Sequence, residues 1–221
     1  MAGPNLAGFL HREATIDQFR EFLAQRSLYH LKESDPHSFV LPRIDGRATV
    51  ALAELQYDEY GAGRPERLHS QMFADAMDAA GLDSRYGAYV DLVPASALAV
   101  NNVMSLFGLN RRLRGAALGH LAAFESTSSV PCRRIAAGIE RVGLPEGVAD
   151  YFHEHVEADS VHEQVAIRDI CESFVETDPA QLSEVLFGAA ACLYLDGAAA
   201  ERLLADWRSP EQPDLTAAAA S

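Results

Sequence analysis

The chain has 221 residues, with 18 Lys and Arg against 32 Asp and Glu, and a formal net charge of -14. This acidity disfavours nucleic acid and anionic membranes as partners, because both select for clustered Lys and Arg. The N-terminus lacks the basic segment and apolar run of a signal peptide, and no run approaches the roughly 18 apolar residues of a membrane span. Cys132, Cys171 and Cys192 are widely spaced and odd in number, which indicates reduced thiols. We therefore expect a cytoplasmic protein that binds neither nucleic acid nor membrane.

Helical periodicity recurs along the chain, and no alternating strand pattern of any length is present. Residues 1–14 carry Gly and Pro without a clear period, so we expect a flexible arm there, and a disordered tail over 209–221. A single helical domain is expected over residues 15–208. Helices are predicted over 16–33, 47–60, 64–80, 95–107, 110–142, 145–174 and 179–207. The predicted fold class is an all-α bundle of about seven helices.

Local signals predict where these helices begin and end. Thr15 is a suitable N-cap for the first helix. Gly61 and Gly63 separate the second helix from the third. Pro131 is expected to kink or split the long fifth helix, and Gly143 to end it.

The stretch YFHEHVEADSVHEQ, residues 151–164, carries the strongest functional pattern. It places His155, Asp159 and His162 at positions i, i+4 and i+7, which share one face of a helix. Two imidazoles and a carboxylate on one face are typical of a metal site, and suit iron, manganese or zinc. The other members of such a site must come from other helices.

Four further residues are candidate ligands. Glu125, in FESTSSVP, lies on the apolar face of the long helix, where a carboxylate must be exposed, paired or bound to a cation. Glu59 and His69 flank the glycine break in YDEYGAGRPERLH, and Glu33 lies at the end of the first helix, where an acid is unfavourable for the helix dipole. Each has an ordinary alternative, a solvated carboxylate for the acids or a hydrogen-bonded core histidine for His69.

Taken together, the candidates form a ligand set for two metal ions. Three carboxylates and three imidazoles come from four helices: Glu59, His69, Glu125, His155, Asp159 and His162. A mononuclear iron site needs only two His and one carboxylate, which would leave half of the set unexplained. Bridging carboxylates with open coordination positions are what an oxygen-activating di-iron site requires.

The motifs YDEYGAGRPERLH, FESTSSVP and HVEADSVH, in this order, give the chain a family resemblance. It resembles the haem-oxygenase-like di-iron oxidases and oxygenases, also described as iron-containing redox enzymes, over roughly residues 28–169. Glu33, in LKESDPHSF, matches an additional carboxylate ligand of the N-oxygenase-type members, and the ten-residue spacing of Glu59 and His69 favours the same members. Glu66, seven residues after Glu59, competes for the role given to His69.

The resemblance implies a haem-oxygenase-like bundle that binds two Fe(II) ions and uses O2 as co-substrate. Its metal ligands would be Glu33, Glu59, His69, Glu125, His155, Asp159 and His162. The implied reaction is N-oxygenation of an amine in a small amino-acid-derived metabolite, through a peroxo-di-iron(III) intermediate, in specialised-metabolite biosynthesis. The alternatives are oxidative C–C or C–H cleavage by the same site, or a non-catalytic helical iron-binding module.

Residues outside the ligand set also have expected roles. Arg43 and Arg168 are candidate anchors for a substrate carboxylate, although an ordinary salt bridge is the commoner role for each. Asp169 and Tyr57 are candidates to orient the ligands.

Two expectations concern the outer surface of the helices. His153, Glu154 and Glu157 fall on other sides of their helix and are predicted to be dispensable for metal binding. Apolar residues on the first and last helices, together with the resemblance, favour a homodimer.

Overall fold

A computed structural model describes residues 5–209, except for the side chains of residues 157, 159 and 160. Within this part of the chain the structure is helical and contains no strand, which confirms the all-α prediction. Helices α1 to α10 span Leu6–Arg12, Ile16–His30, Asp35–Ser38, Gly46–Glu59, His69–Ala79, Ala95–Leu109, Arg114–Val142, Gly147–Gln164, Ser173–Thr177 and Leu182–Arg208. Seven of these described helices have eleven residues or more, in agreement with the expected number.

Helix α1 occupies most of the segment that was predicted to be a flexible arm. The side chains of Leu10 and Ala14 are buried, and Arg141 of α7 donates hydrogen bonds to the carbonyls of both residues. A side chain at Gly138 of α7 would collide with the Leu10 carbonyl, so this glycine allows the close approach of the two helices. The arm prediction is therefore wrong for residues 6–12, because it overlooked the apolar side of a very short helix. The predicted tail over 210–221 lies outside the described residues.

The predicted helix boundaries near the candidate ligands are largely confirmed. Thr15 and Gln18 form a capping box at the start of α2. The turn after α4 places Gly61, Ala62 and Gly63 in succession at positive φ. This turn reverses the chain, so that His69 opens α5 close to the end of α4.

Helix α7 continues through Pro131 instead of splitting there. Both of its halves are held by tertiary packing, with Leu118 and Leu121 buried before the proline and Ile135 and Ile139 buried after it. This packing offsets the backbone hydrogen bond that proline removes. Of the two expected outcomes, the split is therefore wrong, and the kink stays a prediction. The predicted end of the helix is confirmed, because Gly143 adopts the left-handed conformation.

The region predicted as one helix over 145–174 contains a change of helical geometry. Helix α8 is followed by a π-helical segment over Val165–Glu172, and α9 then extends to Thr177. π-Helical segments are rare and are frequent at functional sites. Here the segment begins three residues after His162, one of the candidate ligands.

Two clusters of buried apolar side chains form the core and meet along α7. One cluster includes Leu10, Phe19, Phe73, Ile135, Tyr151 and Leu203. The other includes Leu52, Phe107, Leu118, Leu121, Ile170 and Val185. Glu125 lies on α7 between the part that joins the second cluster and the part that joins the first. The candidate ligands therefore lie where the two clusters of buried apolar side chains meet.

Helix α10 packs closely on α7 but also has a large apolar surface. A side chain at Gly188 would collide with the backbone of Ala116, which shows how closely the two helices approach. Leu186, Phe187 and Tyr194 are exposed on its other side. By length and composition the segment Pro179–Arg208 is apolar enough to cross a membrane, although acidic residues interrupt its apolar run. The homodimer and the absence of a membrane partner stay predictions.

Candidate metal centre

Two groups of buried metal-ligating side chains meet at the centre of the bundle. In the first group, ligand atoms of Glu33, Glu59, His69 and His155 lie within 4.8 Å of one another; in the second, those of Glu59, Glu125 and His162 do so. All six residues are buried. They come from the loop after α2 and from α4, α5, α7 and α8. The first and last of them in the chain, Glu33 and His162, are more than a hundred residues apart.

Glu59, the last residue of α4, belongs to both groups. Its Oε2 lies 3.0 Å from Nδ1 of His69, and its Oε1 lies 3.4 Å from Nδ1 of His162. Ser34 donates a hydrogen bond of 3.2 Å to Oε2. Glu59 therefore has one oxygen turned towards each group, which is the arrangement of a bridging carboxylate.

Only one of the two carboxylate oxygens of Glu33 is held by neighbouring side chains. Its Oε2 accepts a hydrogen bond of 2.8 Å from the Tyr151 hydroxyl and lies 2.9 Å from Nδ1 of His30. Its Oε1 has no hydrogen-bond partner and lies 3.6 Å from Nε2 of His155. The carboxylate is thus fixed at one oxygen and offers the other to the cluster.

The orientation of two imidazoles follows from contacts on their outer side. His155 donates from Nδ1 to the carbonyl of Tyr151 at 2.8 Å, one turn back in α8, so its Nε2 is the atom that faces Glu33. His162 has Nε2 at 3.5 Å from Oδ2 of Asp58, and its Nδ1 lies 3.4 Å from Oε2 of Glu125. Such outer contacts fix the tautomer and the ring plane of a metal-binding histidine.

The ionisation of the group matches its geometry. Burial lowers the pKa of His162, but the contacts with Glu125 and Glu59 outweigh burial and raise it to about 11. Burial raises the pKa of Glu33, yet interactions with His155 and His30 hold it at about 2. Glu59 also has a pKa well below its ordinary value, because interactions with His69 and His162 exceed the effect of burial. In the metal-free chain, protons on His69 and His162, whose pKa values are both raised, therefore compensate the buried carboxylates.

Buried polar atoms without partners show that this donor set fits metal ions. Among the described residues, Oε1 of Glu33, Nδ1 of His69 and Nδ1 of His162 make no hydrogen bond, although all three are buried at the centre of the cluster. Orphaned donors and acceptors of this kind are costly unless a ligand satisfies them. Imidazole nitrogen and carboxylate oxygen together suit iron. The buried Glu and His clusters are compatible with iron binding.

Four other residues named from the sequence lie away from the cluster. Glu66 is exposed, so the structure brings His69 and not Glu66 to Glu59. His153 is exposed and lies 3.2 Å from Glu140, as expected for a residue on another side of α8. Tyr57 is exposed and donates to the carbonyl of Ala62, and Asp169 pairs with Arg47, so neither orients a ligand. Their expected role is wrong because both point to the surface.

Two members of the sequence prediction on α8 lie outside the described residues. The side chains of Asp159 and Glu157 are not described. The expected ligand role of Asp159, and the expected dispensability of Glu157, therefore stay predictions.

Sequence analysis did not identify the residues that hydrogen-bond to the candidate metal ligands and hold them in place. His30, Tyr151 and Ser34 lack a distinctive spacing, and each is buried only by the tertiary fold. The single local signal was the proximity of His30 to Glu33, three residues apart at the end of α2.

A cavity of about 400 Å³ adjoins one side of the cluster and is lined there by His30, Tyr151 and His155. A smaller cavity of about 20 Å³, the space of about one water molecule, touches Glu33, Glu59, Glu125 and His155. The candidate anchors Arg43 and Arg168 do not line the large cavity: Arg43 donates to the carbonyl of Gly108, and Arg168 is exposed. Their role as substrate anchors stays a prediction, and it would have to act outside this cavity.

The chain is similar to known proteins over most of its length. Residues 20–197 match the family described as iron-containing redox enzymes. Nitrosourea synthase from Streptomyces achromogenes subsp. streptozoticus is 29% identical over 157 residues, which cover 71% of this chain and 33% of that protein. The chain thus spans about a third of the length of this curated relative.

Solved structures with the same fold have much lower sequence identity. A CADD-like protein of unknown function from Nostoc punctiforme PCC 73102 has a TM-score of 0.70 at 16% identity, over 93% of this chain and 89% of that chain. A domain of unknown function with a haem-oxygenase-like fold, from Shewanella denitrificans OS217, has a TM-score of 0.70 at 12% identity, over 93% of this chain and 85% of that chain. The expected haem-oxygenase-like fold is confirmed. The match over residues 20–197 shows that this chain belongs to the family of iron-containing redox enzymes.

Proposed function

We propose that the protein is a non-haem di-iron oxygenase that uses O2 to oxidise a small amino-acid-derived metabolite. N-oxygenation of an amine is the reaction we favour. Bound iron would supply the electrons that reduce O2. Family membership supports an oxidoreductase, and the two-iron form is our own extension of it.

The observation that carries the proposal is the position of Glu59 between two groups of donors. Four ligand atoms surround one position and three surround the other, with Glu59 common to both. A site for one metal would not need two donor groups on opposite sides of one carboxylate. Incomplete donor sets leave coordination positions open for O2 or substrate.

The protein's own residues have distinct tasks in this reaction. Glu33, Glu59 and Glu125 would hold the metals together with His69, His155 and His162. Tyr151 and His30 fix Glu33 by contacts of 2.8 and 2.9 Å, so its free oxygen needs little reorganisation. Buried apolar side chains on both sides of the cluster keep bulk water away from a reactive oxidant.

The choice of N-oxygenation rests on the relative. The name of this relative, nitrosourea synthase, denotes a product that contains a nitrogen–oxygen bond. Oxidative cleavage of a C–C or C–H bond by the same site is the alternative reaction. N-oxygenation and C–C cleavage differ in product mass, since N-oxygenation adds oxygen to the substrate and C–C cleavage removes carbon.

The direct test is anaerobic titration of the metal-free protein with Fe(II), followed by measurement of iron content and of O2 uptake. We expect two irons per chain and O2 consumption that depends on them. Glu125→Gln should lose at least one iron, whereas Glu66→Gln, a matched change at an exposed position, should keep both. Binding of one iron by the wild-type protein, or iron-loaded protein that consumes no O2, would overturn the proposal. Mass spectrometry of amine substrates then separates oxygen addition from carbon loss.

A further inference from the structure

An ion pair lies in the wall of the large cavity, away from the metal centre. Arg26 of α2 donates from Nη1 to Oδ1 of Asp196 on α10 at 2.6 Å. Both side chains line the cavity of about 400 Å³ that reaches His155. No role in the metal site requires this pair, since it contacts none of the candidate ligands in the described structure.

The ion pair does not use all the hydrogen-bonding groups of Arg26 and Asp196. A guanidinium has five N–H donors, and among the described contacts Arg26 donates only from Nη1, to Asp196. Nε is enclosed by the protein, and Nη2 makes no described hydrogen bond. The side chain of Arg26 is 22% exposed, and its guanidinium lies 5.7 Å from the centre of the Tyr29 ring, which limits its rotation. The Asp196 side chain is 44% exposed, so the carboxylate keeps room for another donor. Nη2 of Arg26 is therefore left to donate a charge-assisted hydrogen bond to a ligand carboxylate.

Most of the remaining cavity wall is apolar. It is formed by Leu10, Phe22, Val100, Phe124, Ile135 and Leu203. The wall on the side of the cluster carries His30, Tyr151 and His155. The cavity therefore has a region with one positive and one negative charge, an apolar middle and a side that borders the candidate metal site.

We propose that Arg26 and Asp196 together bind the head group of an α-amino acid substrate. The substrate carboxylate accepts from Nη2 of Arg26, and the substrate ammonium donates to Asp196. The side chain of the substrate lies along the apolar wall and presents its far end towards His155. The assignment of that end as the reacting end rests on the proposed function; the binding of the head group does not.

The pairing of opposite charges selects this class of ligand over simpler ones. A fatty acid would offer no partner for Asp196, and a diamine would offer none for the guanidinium of Arg26. Arg134 also lines the cavity but is exposed, and its charge has no carboxylate beside it in the described structure. A zwitterion matches the pair at Arg26 and Asp196 better than it matches Arg134.

The test is calorimetric titration of the metal-free protein, so that it does not depend on iron or on turnover. The probes are L-methionine, L-norleucine, L-lysine and L-arginine, each beside the amine that lacks its carboxylate and the acid that lacks its α-amino group. We expect at least one amino acid to bind about tenfold or more tightly than both of its matched analogues, because each analogue lacks one of the two charge-assisted hydrogen bonds. Equal binding of an amino acid and its amine, or no binding by any probe, would overturn the proposal.

Variants identify the residues responsible. Removal of one charge alone leaves the other buried and can unfold the chain, so the neutral pair Arg26→Gln/Asp196→Asn is the main variant, with folding checked by circular dichroism. It should lose the preference for the zwitterion, whereas Arg134→Gln, a matched change in the same cavity, should keep it. The reverse pattern would assign the head group to Arg134 and refute the proposal. Binding that follows this pattern in a protein without O2 uptake would refute the proposed function and leave this inference standing.

Discussion

Oε2 of Glu59 lies 3.0 Å from Nδ1 of His69, although the two residues are ten apart in the chain and belong to different helices. The turn that joins them contains three successive residues at positive φ, and it folds the start of α5 back onto the end of α4. This contact makes Glu59 the common member of both donor groups.

The first prediction concerns this shared carboxylate. Glu59→Gln keeps the side-chain volume but removes the negative charge and the ability to bridge two metals. We expect the iron content after anaerobic reconstitution to fall from two per chain to one or fewer, measured by mass spectrometry of the metal. Two tightly bound irons in Glu59→Gln would show that Glu59 does not bridge.

Tyr151 is expected to position Glu33 without contacting metal. Tyr151→Phe removes the 2.8 Å hydrogen bond to Oε2 and leaves His30 as the remaining described support of that oxygen. Iron affinity should fall by about tenfold, and the free energy of unfolding of the metal-free protein by about 1–2 kcal/mol. Tyr194→Phe, a matched change at an exposed tyrosine of α10, is the control and should change neither quantity.

Asp58 is expected to act on the metal site through His162. Its Oδ2 lies 3.5 Å from Nε2 of His162, on the opposite side of the ring from Glu59 and Glu125. Asp58→Asn should weaken metal binding by about tenfold, the lower end of the effect of an outer carboxylate, because Asp58 is half exposed. Asp169→Asn, which breaks the exposed pair with Arg47, provides the control. Equal metal affinities of the two variants would exclude this role for Asp58.

Metal binding should release protons and strengthen as the pH rises. The pKa of His162 is about 11 in the metal-free chain, above its ordinary value of 6.5, so near neutral pH its ring is protonated and a metal ion must displace that proton. His69 also has a raised pKa. The affinity for Fe(II) should therefore rise about tenfold per pH unit for each proton displaced. Calorimetry in buffers of different ionisation enthalpy counts these protons, and a pH-independent affinity would contradict the expectation.

The same raised pKa has a consequence for the stability of the metal-free protein. The contacts of protonated His162 with Glu125 and Glu59 stabilise the fold fully below pH 6.5, and this contribution is lost as the pH rises through about 11. The melting temperature of the metal-free protein should therefore decrease in alkaline solution. His162→Gln should show a smaller decrease over the same range.

The close approach of α7 and α10 should make one glycine irreplaceable. A methyl group at Gly188 would collide with the backbone of Ala116, whereas a methyl group at Gly197 of the same helix meets nothing within 4 Å. Gly188→Ala should destabilise the protein by about 2–3 kcal/mol in urea unfolding, and Gly197→Ala should stabilise it by about 0.5–1 kcal/mol. Similar stabilities of the two variants would show that the helices can separate without cost.

The sequence by itself determined the all-α class and most helix boundaries, because helical periodicity, caps and glycines act within a few residues. It also placed His155 and His162 on one face of α8, since that relation depends only on the pitch of a helix. The residue types alone grouped these two with Glu59, His69 and Glu125, and the family resemblance added the ligand role of Glu33; the structure brings all six together.

Only the tertiary structure decided which polar residues belong to the cluster of candidate metal ligands or contact it. Local pattern does not separate His69 from Glu66, or Tyr151 from Tyr57, because burial depends on helices that are distant in the chain. The same reason explains the incorrect arm over residues 6–12 and the incorrect split at Pro131, where packing against other helices outweighs local propensity. The ion pair of Arg26 and Asp196 joins positions 170 residues apart, a relation that no local pattern contains.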